Sequence, residues 1–120
     1  MLLIDEFVKK VSSDAYGGSA ELVDDAIVCY LNELKTGRFA AAADVFGRIQ
    51  HCVDRTFEVC NAILPLIHLL NLCMCFIDER TGSGESPQQI CAAAINMLET
   101  RKKEQAAYLG QIGLIGEKLV

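Results

Sequence analysis

The residues of this chain that could do chemistry are six cysteines and two histidines, all within stretches of helical apolar spacing: Cys29, Cys52, Cys60, Cys73, Cys75, Cys91, His51 and His68. A structural zinc site uses four converging ligands, usually with paired Cys-x-x-Cys spacing, and that spacing is absent. Cys73 and Cys75 stand two apart, about 200° around a helix axis, so one metal ion cannot take both. We expect no metal and no cofactor.

The cysteines would indicate disulfides in a small secreted protein, but the N-terminus, Met1–Glu6, lacks the pattern of a signal peptide. We therefore expect a reducing, cytoplasmic compartment. In it, all six cysteines would be free thiols that act as small buried hydrophobic residues.

Catalysis requires several polar groups that converge on one point, and the sequence places few together. His68 falls in the most apolar segment, where a buried neutral imidazole with one hydrogen bond is the simplest expectation. The acids Glu21, Asp24 and Asp25 suit the first turn of a helix, whose dipole favours negative charge. We expect no enzyme; a small enzyme or ligand-binding protein that uses His51 or His68 is an alternative.

The net charge of the chain limits the classes of partner that it is expected to bind. A net charge of −5 argues against nucleic acid and against anionic lipid surfaces, both of which require clustered Lys and Arg. The longest apolar run, Ala62 to Ile77, is shorter than the about 20 residues of a membrane span and contains Pro65 and His68. We expect this run to be a helix inside a soluble protein.

Helical spacing recurs between the glycine-rich breaks, and no stretch alternates like a strand. The pattern predicts an all-α protein, an antiparallel bundle of four to five helices in a single domain of residues 1–120. The first connection is expected at residues 12–19. The predicted helices cover residues 2–12, 20–36, 38–60, 61–80 and the segment that begins at Ser86-Pro87.

Local signals support these bounds. Ser86-Pro87-Gln88-Gln89 is a capping box with proline at the first helical position, Gly37 is a helix stop, and Asn61 is expected to cap the fourth helix. Asp44 and Arg48 are expected to form an exposed pair on the third helix. The predicted buried stripe of that helix is Phe39, Ala42, Ala43, Phe46, Ile49, Val53, Phe57 and Cys60.

The fourth helix is apolar around its whole circumference, which is typical of a central helix or of one that also faces a partner. We expect the bundle to be centred on this run, Ala62 to Ile77. The excess of apolar residues predicts a protein partner or a second copy of the chain. The residues expected to bind it are Leu66, Leu70, Met74, Met97 and Tyr108. The buried stripe of the fifth helix is expected to break at the polar residues 101–105. Residues 110–120, with glycines at 110, 113 and 116, either pack closely or form a mobile tail.

The segment Leu34-Lys35-Thr36-Gly37-Arg38-Phe39-Ala40-Ala41-Ala42-Ala43-Asp44-Val45-Phe46 resembles the middle of a tetratricopeptide repeat. Gly37 and Phe39 match its turn glycine and aromatic, while Ala42 and Phe46 match its packing positions. Ala26, Glu33 and Asp54 depart from its tryptophan, tyrosine and proline. The resemblance implies a helical hairpin that recognises a peptide or helix in a groove.

The chain also resembles flagellar and type III export chaperones in size, acidity and an acid-led second helix, Ser19-Ala20-Glu21-Leu22-Val23. That resemblance implies a protein that covers a helix of an export substrate. The favoured function is a non-enzymatic protein-protein interaction module, an adaptor or chaperone-like bundle; a structural subunit of an assembly is an alternative. A groove without converging polar groups would favour binding, and a pocket pairing His51 or His68 with an acid would favour an enzyme.

Overall fold

Five α-helices make up the computed structural model, which describes the backbone of residues 1–13 and 19–119 and the side chains of residues 1–13 and 20–107. They are α1 (Ile4–Ser12), α2 (Ser19–Thr36), α3 (Ala42–Val59), α4 (Leu64–Thr81) and α5 (Pro87–Leu119). The described part of the chain contains no strand. The prediction of an all-α bundle is confirmed. The connection predicted at residues 12–19 falls mostly outside the described residues.

Helices α2 and α3 each pack against all four other helices, and α2 is the more deeply buried of the two, so it is the centre of the bundle. Three consecutive residues, Cys29, Tyr30 and Leu31, are all buried. Because neighbouring residues point about 100° apart, such a run is buried only where a helix has neighbours on several sides. The expectation that the run from Ala62 to Ile77 forms the central helix is therefore wrong.

Helix α4 lies at the side of the bundle and buries one stripe, made of Leu66, Leu69, Leu70, Cys73 and Ile77. Leu64 is 61% exposed, and His68 and Cys75 also face water. The helix begins at Leu64 with Ile63 at the N-cap, so Asn61 does not cap it. The expected buried imidazole at His68 is likewise wrong, because the apolar residues of this helix outnumber the positions that the bundle can cover.

The buried stripe of α3 consists of Val45, Ile49, Cys52 and Thr56. Phe57, predicted to be buried, is 50% exposed, whereas Phe46 and Val53 are partly buried against the core. The observed face is rotated by about 80° from the predicted one, less than the 100° step between neighbouring residues. The helix also begins at Ala42, four residues later than predicted, with Asp44 Oδ2 accepting the Ala41 N–H at 2.9 Å.

The hydroxyl group of Thr56 can be buried because Tyr30 of α2 forms a hydrogen bond with it. The two hydroxyl oxygens are 2.7 Å apart, and Thr56 donates its own proton to the Cys52 carbonyl at 2.8 Å. Burial raises the pKa of Tyr30 well above its ordinary value, so the phenol remains a donor. This polar contact fixes the rotation of α3 against α2.

A buried carboxylate joins three helices. Glu33 of α2 is 3% exposed; its Oε1 accepts the backbone N–H of Ile4 at 3.0 Å, and its Oε2 accepts Arg48 Nη1 of α3 at 2.9 Å. The Ile4 N–H is one of the donors that the start of α1 leaves without an intrahelical acceptor. The expected exposed pair of Arg48 with Asp44 is therefore wrong, because Arg48 binds Glu33 instead.

The start of α5 follows the predicted capping box. The Gln89 N–H donates to Ser86 Oγ at 3.2 Å, and the Ser86 N–H donates to Gln89 Oε1 at 3.0 Å. The preceding loop turns at Gly84, whose φ of 80° suits glycine. Arg80 of α4 donates to Glu85 Oε1 at 2.8 Å across this loop. These contacts set the direction in which α5 leaves α4.

Helix α5 runs antiparallel to α2. The Cys91 thiol donates to the Leu34 carbonyl near one end, and Gln105 Nε2 donates to the Ala20 carbonyl, at 2.7 Å, near the other. The helix continues through residues 101–105, and residues 101–104 are exposed, so the predicted break in its buried stripe is confirmed. The expectations for Tyr108 and for the packing of residues 110–120 fall on side chains outside those described.

The Glu33 contact predicts an unequal response of two arginines. Arg48→Ala should lower the free energy of unfolding by about 1–3 kcal/mol, because it leaves a buried carboxylate oxygen without its partner. Arg101→Ala is the control, since Arg101 contacts Glu104 at 3.4 Å on the exposed side of α5; it should change stability by less than about 0.5 kcal/mol. Urea unfolding measures both, and equal midpoints would contradict the role of Glu33.

Candidate binding groove

The structure separates the residues predicted to bind a partner. Leu66 and Leu70 are buried in the core, so in the folded chain neither can touch a partner, and that part of the prediction is wrong. Met74 and Met97 are partly buried and pack against the core. Tyr108 has its side chain outside the described part of the chain. The four whose side chains are described do not form an exposed patch.

An open groove of about 550 Å³ instead lies between the end of α2, the α2–α3 connection and the start of α5. On its α5 side are Gln88, Cys91, Ala92 and Ile95. Gln88, Ala92 and Ile95 follow one another at helical spacings of four and three, beside the core stripe of Ile90, Ala94 and Leu98. We call this feature the α2–α5 groove.

The opposite wall depends on Gly37 and Phe39. A Cβ atom at position 37 would lie 2.9 Å from the Glu33 carbonyl oxygen and closer still to the Phe39 ring. Any side chain there would displace the ring that lines the groove. Gly37 thus ends α2 and allows the aromatic wall to form directly after it.

Cys91 joins the two sides. Its thiol donates to the Leu34 carbonyl at 3.3 Å, and that carbonyl belongs to the last turn of α2, which has no intrahelical donor. Burial raises the pKa of the Cys91 thiol. The sulfur is therefore held as a protonated donor, which is the opposite of what a nucleophilic cysteine requires.

The charged side chains that line the groove are Lys35 and Arg38, both positive. Lys35 Nζ contacts Glu99 Oε1 of α5 at 3.1 Å, whereas among the described residues Arg38 is exposed and has no hydrogen bond or ion pair. Pro87 and Gln88 add the N-terminal turn of α5, where the helix dipole is positive. The groove is thus a cationic site on a chain whose net charge is −5.

The two histidines lie outside the groove. His51 and His68 are exposed and neither lines the groove. In the described part of the chain, no three His, Cys, Asp or Glu side chains are grouped so that they could hold a metal ion. Among the helices as described, none is both long enough and apolar enough to cross a membrane.

The cysteines divide into three groups: Cys29, Cys52 and Cys73 are buried, Cys60 and Cys91 are partly buried, and Cys75 is exposed. The expectation that all six are buried is wrong for Cys75, which lies on the outer face of α4. Burial raises the pKa of Cys52 and of Cys73 to about 12, and that of Cys29 further. These three core thiols are protonated at neutral pH.

Sequence reasoning missed the groove, although one signal was present. Cys91 and Ile95 widen the apolar stripe of α5 beyond Ile90, Ala94 and Leu98, on the side away from Met97. A stripe wider than the core needs indicates a second contact on that flank. The cations Lys35 and Arg38 could not be connected with it, because residues 40–86 separate the two walls along the chain.

No protein-family model, curated protein or solved structure matches this chain. The tetratricopeptide and export-chaperone resemblances therefore stay predictions. The function has to be argued from the groove.

Burial and pKa together predict the reactivity of the thiols. Ellman's reagent should detect all six after denaturation, while in the native protein Cys75 should react fast and the thiols of Cys29, Cys52 and Cys73 only on unfolding. Cys75→Ser should remove the fast phase. If the fast phase survived that substitution, the exposure of α4 in the structure would be wrong.

Proposed function

We propose that this chain is a non-enzymatic protein-binding module that holds a peptide or helix of its partner in the α2–α5 groove. One observation carries the proposal: an open groove of about 550 Å³ whose lining, among the described residues, combines apolar side chains with two cations and includes no histidine and no acid. Volumes of about 300–1,000 Å³ are typical of ligand sites. This groove can accommodate several side chains of an incoming segment.

The lining favours binding over catalysis. Proton transfer and nucleophilic attack need a base near neutral pKa or an activated nucleophile. Cys91 is the nucleophilic residue type in the lining, and its thiol is engaged with the Leu34 carbonyl at 3.3 Å. The alternative of an enzyme requires His51 or His68 beside an acid inside a pocket, and neither histidine lines the groove.

The tetratricopeptide resemblance supports the same proposal. Gly37 and Phe39, two of the residues that carry it, line one wall of the groove. A hairpin of that family implies recognition of a peptide or helix. We accordingly propose an adaptor or chaperone-like role, in the cytoplasm, for a protein partner.

Self-association is a second candidate, and it rests on a different surface. No charged residue occurs from Val59 to Ile77, and Phe57 and Leu64 are 50% and 61% exposed near the α3–α4 connection. Exposed apolar side chains on such an uncharged surface favour burial against another chain. A chain that pairs through this face would be a structural subunit of its own assembly.

The groove can be tested by filling it. A random peptide library displayed on phage is selected against the wild-type protein, and the enriched peptides are titrated into Ala92→Trp. Ala92 is exposed on the groove side of α5, so the indole should occupy the groove and abolish binding while the fold is kept. Fluorescence anisotropy measures the affinity, and circular dichroism measures the helix content.

Ala106→Trp is the matched control. Ala106 is also exposed on α5, about 20 Å further along the helix axis. The enriched peptides should bind this variant as tightly as the wild type. Equal binding to Ala92→Trp and to wild type would overturn the groove as the binding site.

The second surface has its own test. If the chain self-associates, Leu64→Glu should lower the mass seen by sedimentation without unfolding the protein, because Leu64 is exposed in the monomer. Leu70→Glu is unsuitable for that purpose, since it would place a carboxylate in the core and unfold the chain. A wild-type protein that is monomeric at micromolar concentrations would eliminate this candidate.

A further inference from the structure

Resting on the proposed function, we propose that the segment bound in the α2–α5 groove is an acidic, apolar peptide of a partner protein. Its apolar side chain would lie against Phe39 and Ile95, and a neighbouring Asp or Glu would contact Arg38. The inference follows from the chemistry of the groove wall and from how its charges are already used.

The first step concerns charge. Acidic residues outnumber basic ones by 16 to 11 over the whole chain, yet Lys35 and Arg38 are the charged residues of the groove lining. Lys35 already contacts Glu99, so Arg38 is the cation of this groove that is left for a ligand. An exposed guanidinium presents a planar set of donors that fits a carboxylate in two-point contact.

The second step concerns the apolar part of the groove lining, formed by Phe39 and Ile95. Phe39 and Ile95 are partly buried, packed against the core on one side and open to the groove on the other. A free anion would leave this apolar surface uncovered, and a purely apolar peptide would leave Arg38 without a partner. A segment that carries both kinds of side chain satisfies both.

The third step concerns the end of the groove. The first turn of α5, at Pro87 and Gln88, lines the groove, so the positive end of the helix dipole lies beside it. It adds to Arg38 rather than opposing it. One cation left for a ligand, Arg38, is too few for the phosphate contacts that hold a nucleic acid, so a peptide carboxylate is the anion that fits.

Three displayed peptide libraries test the inference. They share the same apolar positions, and their remaining positions carry Asp and Glu in the first, Asn and Gln in the second, and Lys and Arg in the third. We expect groove-dependent binders, defined as peptides that bind wild type and Ala106→Trp but not Ala92→Trp, from the acidic library.

Charge reversal then identifies the recognising cation. Arg38→Glu should weaken the acidic binders by about three- to tenfold, since an attractive contact is replaced by a repulsive one. Lys103→Glu is the matched control, because it changes the net charge equally at an exposed position of α5 outside the groove. It should leave the affinity within twofold.

The outcomes separate the two proposals. Groove-dependent binders from the neutral or basic library instead of the acidic one would overturn the acidic partner and leave the binding groove intact. Acidic binders that Arg38→Glu does not weaken would also overturn it. The absence of groove-dependent binders from all three libraries would overturn the proposed function itself.

Discussion

The buried carboxylate of Glu33 is the contact on which the arrangement of the helices depends. A charge with this little exposure is tolerated only where its oxygens are satisfied, and here the two oxygens are bonded to the start of α1 and to Arg48 of α3. Tyr30 is also hydrogen-bonded to Thr56, and Asn32 donates to the Leu2 carbonyl at 3.0 Å. Helix α2 therefore contacts its neighbours through directional hydrogen bonds as well as through apolar packing. Apolar packing alone would let α1 and α3 rotate or slide.

This constraint explains why hydropathy identified the wrong central helix. The run that includes α4 is the most apolar part of the chain. In the described part of the chain, however, α4 does not pack against α1, whereas α2 packs against all four other helices. The polar residues Tyr30, Asn32 and Glu33 lower the mean hydropathy of α2. These same residues make its hydrogen bonds to the neighbouring segments. The exposed Leu64 and Phe57 are the counterpart, since apolar residues remain where no neighbour covers them.

The parts of the fold that could be predicted are those decided by residues close in sequence. The capping box at Ser86 and Gln89, the stop at Gly37 and the helical class need only a few adjacent residues. The face of α3 could not be predicted, because an aromatic at Phe57 is an obvious core candidate whereas Thr56 becomes one only when Tyr30 is known to reach it. The groove was hidden for the same reason, since its walls come from distant segments that α2 and α5 bring together.

The α2 wall of the groove lies next to Glu33 in the chain and is held by the same part of the helix. Leu34 and Lys35 follow that residue directly, and Gly37 donates its N–H to the Glu33 carbonyl at 3.1 Å, so one wall of the groove is continuous with the most constrained part of α2. A wall that is ordered before binding loses little entropy on contact. The chain's negative charge would repel an acidic segment at long range, but screening at physiological salt limits that repulsion to about 8 Å. Recognition would then depend on short-range contacts with Arg38, Phe39 and Ile95 rather than on electrostatic steering. Specificity would come from the fixed shape of the groove.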